Sequence, residues 1–112
     1  MKRLCYALDL KDDPELIAKY EFWHKAENSW PEIRKSIIGA GIIDMQIYRT
    51  GNRLFMIIEA EDGYCQEEKE AMDAANPKVR AWERLMGQFQ KPLPWAKRKE
   101  KWVLMEQIYG LW

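Results

Sequence analysis

Two hydrophobic periodicities alternate along this 112-residue chain, and their order restricts the fold more than any other feature. Apolar side chains recur at every second position in residues 2–10, as strands require. The same period returns in residues 42–60, where Thr50-Gly51-Asn52-Arg53 divides a hairpin into two strands. The second of these strands, Leu54 to Ala60, is a nearly continuous apolar run, which is typical of a central strand.

Signals that start helices precede each segment in which apolar residues recur three or four positions apart. Pro14 follows an acidic cap, and Ser29 and Glu32 have the spacing of a capping box. Asn76-Pro77 marks a break or the cap of a new helix. Four helices are predicted. The first covers residues 14–26, and the second begins after Ser29 and ends at Gly39. The other two cover residues 66–75 and residues 78–88. In the second helix three isoleucines are expected to face inward, Ile33, Ile37 and Ile38.

The chain is expected to end on a strand from Trp102 to Tyr109, after a proline-rich loop and a basic run, Lys97–Lys101, that we interpret as solvated. This order predicts the α+β class with a split βαββαβ arrangement, an antiparallel four-stranded sheet with helices on one face. The uncovered face predicts a homodimer, a dimeric α/β barrel, because a second copy commonly closes such a face. A ligand is expected on that face or in the mouth it forms with the helices.

Composition excludes several classes of function. The 18 basic and 18 acidic residues are interspersed, which argues against nucleic acid or an anionic membrane as a partner. No segment has the roughly 18 apolar residues that span a membrane, and the first residues lack a secretory signal, so we expect one cytoplasmic domain, residues 1–112. One histidine and two distant cysteines, Cys5 and Cys65, do not form a soft-ligand metal site, which leaves only carboxylates as candidate ligands.

The single histidine, His24, lies one helical turn after Tyr20, so a helix places both side chains on one face. Its unperturbed pKa of about 6.5 makes it the leading candidate for acid-base catalysis near neutral pH. Taken alone, a lone histidine at the polar edge of a helix is more often structural or solvated. Six tryptophans and five tyrosines indicate a cleft or an interface, and aromatic faces suit sugars.

These residues form a pattern that resembles a known family. It consists of Tyr20-x-x-x-His24, Trp30-Pro31-Glu32-Ile33, Ile47-Tyr48, Leu54-Phe55-Met56, Trp82 and the opening segment from Leu8 to Leu16. Over nearly the whole chain it is similar to the L-rhamnose mutarotase family, in particular to the branch associated with L-fucose. The resemblance implies an enzyme that interconverts the α and β anomers of a 6-deoxyhexose, L-fucose or L-rhamnose. It also implies ferredoxin-like subunits that form a dimer and need neither cofactor nor metal.

The resemblance implies roles for individual residues. In the family the helix histidine donates a proton and the tyrosine one turn earlier binds sugar, which corresponds to His24 and Tyr20. Of the family's paired tryptophans, the first is Trp82, and the second position holds Glu83. Met45 stands where the rhamnose enzymes have a sugar-binding tyrosine. Both differences from the family pattern fall at positions that contact the sugar, so they concern the identity of the sugar more than the reaction. Core packing is the alternative role for Met45 and Trp82.

Asp44 is a further candidate, because a carboxylate inside a strand is disfavoured unless it is solvated or used. Opening a pyranose requires one group that protonates the ring oxygen and another that deprotonates the anomeric hydroxyl. Four candidates stay open for the group that acts with His24 in proton transfer, namely Tyr20, Asp44, Glu83 and water. Two other functions also stay open, a cofactor-free monooxygenase of the same fold and a sugar-binding domain without catalysis. The polar side chains of Asp44 and Glu83 argue against the elongated aromatic substrate of a monooxygenase.

Overall fold

The computed structural model describes residues 1–112 as one antiparallel sheet with four helices. The strands are β1 (Lys2–Leu10), β2 (Ile42–Thr50), β3 (Arg53–Ala60), β4 (Gln90–Lys91) and β5 (Val103–Leu104). The helices are α1 (Pro14–His24), α2 (Pro31–Gly39), α3 (Gln66–Ala74) and α4 (Pro77–Gly87). None of these helices combines the length and the apolar composition that crossing a membrane requires.

Three of the helices begin at a proline, whose restricted φ suits the first helical position. The Asp13 carboxylate caps α1 by accepting hydrogen bonds from the backbone N–H groups of Glu15 and Leu16, at 2.9 and 3.3 Å. The side chain of Asn76 caps α4 in the same way. The starts of α1 and α4 therefore follow directly from residues that the sequence pattern identifies.

Two expectations for α2 are wrong. The capping box does not form, because the Ser29 hydroxyl donates to the carbonyl of Ala26 instead, and Trp30 occupies the cap without a side-chain bond. Ile38, expected to face inward, is 58% exposed. It lies about 100° further round the helix than Ile37, which packs against the core.

The sheet order is β2-β3-β1-β4, and β5 also pairs with β1. β1 is central because β3 pairs with one of its edges over most of its length. The other edge is shared by β4, opposite Leu10, and by β5, opposite Tyr6 and Ala7. Two short strands thus occupy the position predicted for one fourth strand. The split βαββαβ order is retained with five strands instead of four.

The predicted last strand, Trp102 to Tyr109, is wrong in its length. Only Val103 and Leu104 pair with β1, followed by one hydrogen bond from the N–H of Met105 to the carbonyl of Cys5, at 2.7 Å. Beyond this point the chain has no strand pairing, and its large apolar residues are exposed, namely Ile108, Tyr109, Leu111 and Trp112. An extended segment becomes a strand only where it pairs with the edge of another strand. The local sequence pattern contains no information about that pairing.

The core lies on the face of the sheet that the helices cover. One cluster consists of Tyr6, Ile42, Ile58, Ala60 and Tyr64. A second cluster joins the sheet to α1 and α4 and consists of Leu10, Tyr20, Leu54, Met86 and Phe89. Because side chains alternate along a strand, Cys5 and Ala7 of β1 point to the opposite face, which no helix covers.

A β-bulge at the start of β2 changes which residues face the core. Ile42 and Asp44 pair with successive residues of β3, so Ile43 between them has no partner. Strict alternation puts Ile43 on the same face as Met45 and Ile47, but Ile43 is exposed and Ile42 is buried instead. Beyond the bulge Met45 and Ile47 pack against the core, as the alternation predicts. The bulge places both Ile43 and Asp44 at the edge of the cavity described below.

Candidate active site

A cavity of about 840 Å³ lies between the helices and the sheet. All six candidate residues line it, Tyr20, His24, Asp44, Met45, Trp82 and Glu83. They come from α1, β2 and α4, three elements that are far apart in the sequence. The tertiary structure therefore brings together every residue that was singled out for chemistry or for sugar binding.

His24 is the last residue of α1, and its ring is held against Tyr20 one turn earlier. The two rings stack with centroids 4.2 Å apart and an angle of 16° between their planes. The His24 Nδ1 donates a hydrogen bond to the Tyr20 carbonyl oxygen at 2.7 Å. A carbonyl oxygen can only accept, so Nδ1 carries the hydrogen of the neutral imidazole and Nε2 keeps its lone pair.

The environment of His24 favours this neutral form. The residue is exposed at the mouth of the cavity, but one face of its ring is covered by Tyr20 and its edge contacts Trp82. This desolvation lowers the pKa of His24 below its usual value of 6.5, and the hydrogen bond to the backbone of Tyr20 offsets part of the effect. The resting state near neutral pH is therefore an uncharged imidazole with a free Nε2.

Tyr20 is buried and keeps its proton. Burial raises the pKa of its phenol to about 12, and hydrogen bonding of the phenolate to the Gln90 side chain opposes this rise. The ring belongs to the second core cluster and meets Phe89 edge-on, with centroids 6.3 Å apart. At neutral pH Tyr20 can donate a hydrogen bond or a proton, whereas His24 beside it can accept one.

Aromatic rings extend from this pair along one wall of the cavity. The His24 ring meets Trp82 at a centroid distance of 5.6 Å and an angle of 66°, and Trp82 meets Trp30 at 5.2 Å and 65°. Trp82 is only partly buried and packs against the second core cluster, so it supports the core and lines the cavity at once. Rings in such edge-to-face contacts hold one another in place.

The remaining candidates lie toward the rim. Glu83 and Asp44 are exposed, and Asp44 accepts a hydrogen bond of 3.4 Å from the Gln46 amide. Met45 is partly buried and packs against the first core cluster while it lines the cavity. The site thus has an apolar and aromatic interior with solvated carboxylates at its entrance.

Comparison with known proteins identifies the family. The model of the L-rhamnose mutarotase family matches residues 3–111. The chain belongs to the L-rhamnose mutarotase family. The L-fucose mutarotase of Xanthomonas campestris pv. campestris is 46% identical over 111 residues, which cover 99% of this chain and 89% of that protein. Membership places the chain among isomerases that act on carbohydrates and confirms the resemblance in the sequence.

Two solved structures share the fold of this L-rhamnose mutarotase family member. The L-rhamnose mutarotase of Formosa agariphila superposes with a TM-score of 0.71 at 18% identity, over 99% of both chains. The tetracenomycin F2 cyclase of Streptomyces glaucescens, a type-II polyketide cyclase, gives a TM-score of 0.62 at 19% identity, over 98% of this chain and 96% of that one. At these identities the likeness concerns the fold alone, and it confirms the predicted α+β, ferredoxin-like class.

Sequence reasoning missed several residues that line the cavity of this family member. Lys99, Glu100 and Lys101 border it, although they were interpreted only as part of a solvated loop. Trp102 and Gln90 also line it. None of these residues has a local signal, because each reaches the cavity through contacts with segments far away in the chain.

A polar network closes the part of the cavity that lies near α3. The hydroxyls of Tyr6 and Tyr64 both donate to Gln66 Oε1, at 2.9 and 3.1 Å, and Gln66 Nε2 donates to Glu70 at 3.3 Å. Burial raises the pKa of both phenols, to about 12 for Tyr64. Both ends of the Gln66 amide have partners, so this network is satisfied within the chain. The structure contains no group of three or more His, Cys, Asp or Glu side chains placed to hold a metal ion.

Proposed function

We propose that this protein is an aldose mutarotase that interconverts the α and β anomers of a 6-deoxyhexose, L-fucose or L-rhamnose. Its membership of the L-rhamnose mutarotase family and its 46% identity to an L-fucose mutarotase support this substrate class. The observation that carries the proposal is the stacked pair of Tyr20 and His24, with Nδ1 of His24 bound to a carbonyl oxygen and Nε2 left free. The pair lines a cavity of sufficient size for a monosaccharide.

We propose His24 as the group that exchanges protons with the sugar. In its neutral form Nε2 accepts the proton of the anomeric hydroxyl while another group protonates the ring oxygen, and the C1–O5 bond breaks. The aldehyde rotates about the C1–C2 bond and recloses on its other face. In closure the second group takes back the proton of the C5 hydroxyl as O5 bonds to C1, and the imidazolium returns its proton to the new anomeric oxygen. His24 is therefore the base in opening and the acid in closure.

The second proton donor is proposed from the same cavity. Tyr20 holds its proton at neutral pH and lies against the imidazole, which favours it over the solvated carboxylates of Asp44 and Glu83. The aromatic wall of Trp82 and Trp30 offers faces for the C–H groups of the sugar. In this arrangement Met45 contacts the C6 methyl, and Asp44 and Glu83 accept hydrogen bonds from hydroxyls at the rim.

A direct experiment tests the proposed activity. A freshly dissolved single anomer of L-fucose or L-rhamnose is mixed with the protein, and exchange is followed by polarimetry or by saturation-transfer NMR. We expect faster exchange than in buffer alone for at least one of the two sugars. Calorimetric binding without faster exchange would indicate a sugar-binding domain instead, and oxygen uptake with a polycyclic phenol would indicate a monooxygenase.

The pH dependence of kcat/KM is predicted from the lowered pKa of His24. Free Nε2 is lost only when the imidazole is protonated, so kcat/KM is expected to be constant above pH 6.5 and to fall below it. Exchange rates corrected for the buffer reaction, measured from about pH 5 to 8, give this profile. Activity that falls as the pH rises through 6.5 would contradict the proposal, because the protonated imidazole would then be the reactive form.

We also propose that two copies form a homodimer through the uncovered face of the sheet. A shallow depression of about 290 Å³ on that face is lined by apolar side chains that include Ala7, Phe55 and Met105. The exposed apolar tail after Leu104 begins beside it. An extended tail with this much exposed apolar surface is typical of an interface.

A pair of substitutions tests the homodimer. Ile108 is 94% exposed in the subunit, so Ile108→Asp costs nothing in a monomer but places a charge in the proposed interface. We expect sedimentation velocity to show a dimer for the wild-type chain and a larger monomer fraction for Ile108→Asp. Met72→Asp, on α3 and 50% exposed, is the matched control and should remain dimeric. A monomeric wild-type chain contradicts the proposal.

Two broader assignments remain proposals as well. We propose that residues 1–112 act as a single mutarotase-like domain and that the protein works in the cytoplasm. The two free cysteines, Cys5 and Cys65, support a reducing compartment.

A further inference from the structure

One buried polar atom in the cavity has no partner in the chain, the side-chain oxygen Oε1 of Gln90. Buried amide oxygens are nearly always hydrogen-bonded, because leaving one unpaired forfeits the bond it made with water. Gln90 is the first residue of the short strand β4 and was not singled out in the sequence. Its unpaired oxygen therefore calls for a partner that the chain does not supply.

The backbone of Gln90 is held firmly at this position. It pairs with Leu10, a fully buried residue of the central strand β1. The preceding residue, Phe89, is buried in the second core cluster and meets the Tyr20 ring edge-on. The backbone at Gln90 is therefore fixed, and its half-buried side chain lines the cavity.

The Gln90 amide lies near Tyr20 and presents an acceptor to the cavity. Hydrogen bonding with the Gln90 side chain opposes the rise in the pKa of the Tyr20 phenol, so the two side chains are close. The side-chain oxygen of Gln90 has no hydrogen-bond partner. Gln66, in the same cavity, differs because both of its ends have partners within the chain. Gln90 thus offers an acceptor beside the catalytic pair, whereas Gln66 is already satisfied.

We propose that Gln90 is a substrate-binding residue whose side-chain oxygen accepts a hydrogen bond from a ring hydroxyl of the 6-deoxyhexose. This inference rests on the proposed function and adds a determinant of sugar recognition to it. A hydroxyl bound at Gln90 orients the sugar against Tyr20 and His24. L-fucose and L-rhamnose differ in configuration at C2 and C4, so a contact to either hydroxyl distinguishes them. A site built to bind a hydroxyl rejects a sugar that lacks it there.

The test compares two glutamine variants of the same segment. Gln90→Met keeps the length of the side chain and removes its amide, and Gln88→Met makes the same change at an exposed position outside the cavity. Binding is measured by calorimetry with 1,5-anhydro-L-fucitol and 1,5-anhydro-L-rhamnitol, which have no anomeric hydroxyl and cannot be interconverted. Exchange kinetics with L-fucose and L-rhamnose are measured in parallel.

We expect Gln90→Met to weaken binding and to lower kcat/KM by about 10- to 100-fold for the preferred sugar, as for loss of one buried hydrogen bond. Gln88→Met should stay close to the wild-type protein. A series of sugars that lack the hydroxyl on C2, C3 or C4 identifies the partner, because the loss caused by Gln90→Met should nearly disappear for one of them. A purely structural role would produce the same loss with every sugar.

The outcomes separate this inference from the proposed function. The inference about Gln90 is overturned if Gln90→Met binds the anhydro sugars with an affinity within about twofold of the wild-type value. The Gln90 side-chain oxygen would then be hydrogen-bonded by water alone. An equal loss with every deoxy sugar also overturns it. A wild-type protein that binds the anhydro sugars through Gln90 without exchanging anomers supports the inference and refutes the mutarotase. If Gln90→Met does not fold, Gln90→Asn, which withdraws the amide by one methylene, is expected to show the same sugar-dependent loss.

Discussion

Replacing His24 by alanine is expected to slow the catalysed exchange of anomers by about 10²–10⁴-fold, the usual contribution of a positioned acid-base group. The variant loses the only imidazole in the chain. It also loses the Nε2 atom that we place at the anomeric hydroxyl. Saturation-transfer NMR with both sugars measures the loss against the spontaneous rate in the same buffer.

Lys25→Ala is the matched control, because Lys25 follows His24 directly, is exposed and does not line the cavity. It should exchange anomers at the wild-type rate. Circular dichroism and thermal unfolding check that His24→Ala is folded, as expected for a residue at the exposed end of α1. Wild-type exchange by the folded variant would refute the role of His24. Partial recovery with added imidazole would show that proton transfer, and not packing against Tyr20, was lost.

Replacing Ile58 by alanine is expected to lower the free energy of unfolding by about 2–5 kcal/mol. Ile58 is 2% exposed and lies in β3 between Leu4 of β1 and Met45 of β2. The substitution removes three carbon atoms from the middle of the sheet. Close-packed neighbours on both strands cannot move in to fill the space, so a cavity adds to the lost burial. Urea unfolding measures the difference.

The matched control makes the same substitution at Ile38, which is 58% exposed on α2. Ile38→Ala is expected to change the free energy of unfolding by less than about 1 kcal/mol. All proteins are compared at one concentration, because association of subunits would add to the apparent stability. Equal losses at the two isoleucines would contradict the assignment of Ile58 to the core.

Several features of the fold that depend only on neighbouring residues were predicted correctly from the sequence. Proline and an acidic or amide cap start α1 and α4, since a cap acts within three residues of itself. The turn between β2 and β3 lies where Gly51 adopts a positive φ of 56°. The spacing of Tyr20 and His24 predicted their contact, because residues four apart share one face of a helix.

One error is local, because the Ser29 hydroxyl bonds the carbonyl of Ala26, three residues earlier, in place of the cap. The other errors fall where a distant residue decides the outcome. The bulge at Ile43 depends on how β2 fits against β3, and a single strand does not contain that information. The last strand pairs with β1 only at Val103 and Leu104, and local alternation does not reveal where pairing across the sheet stops.

The sequence by itself determined the order of the elements, the family and the identity of the residues that we assign to proton transfer and sugar contact, because periodicity, caps and spacing act locally. Only the tertiary structure decided that Tyr20, His24 and Trp82 line a single cavity. It also decided that Nδ1 of His24 is hydrogen-bonded to a backbone carbonyl whereas Nε2 is free. It also placed Gln90 beside Tyr20, although 70 positions separate them in the numbering. Such pairs form through burial of the core, a property of the whole chain that no short segment contains.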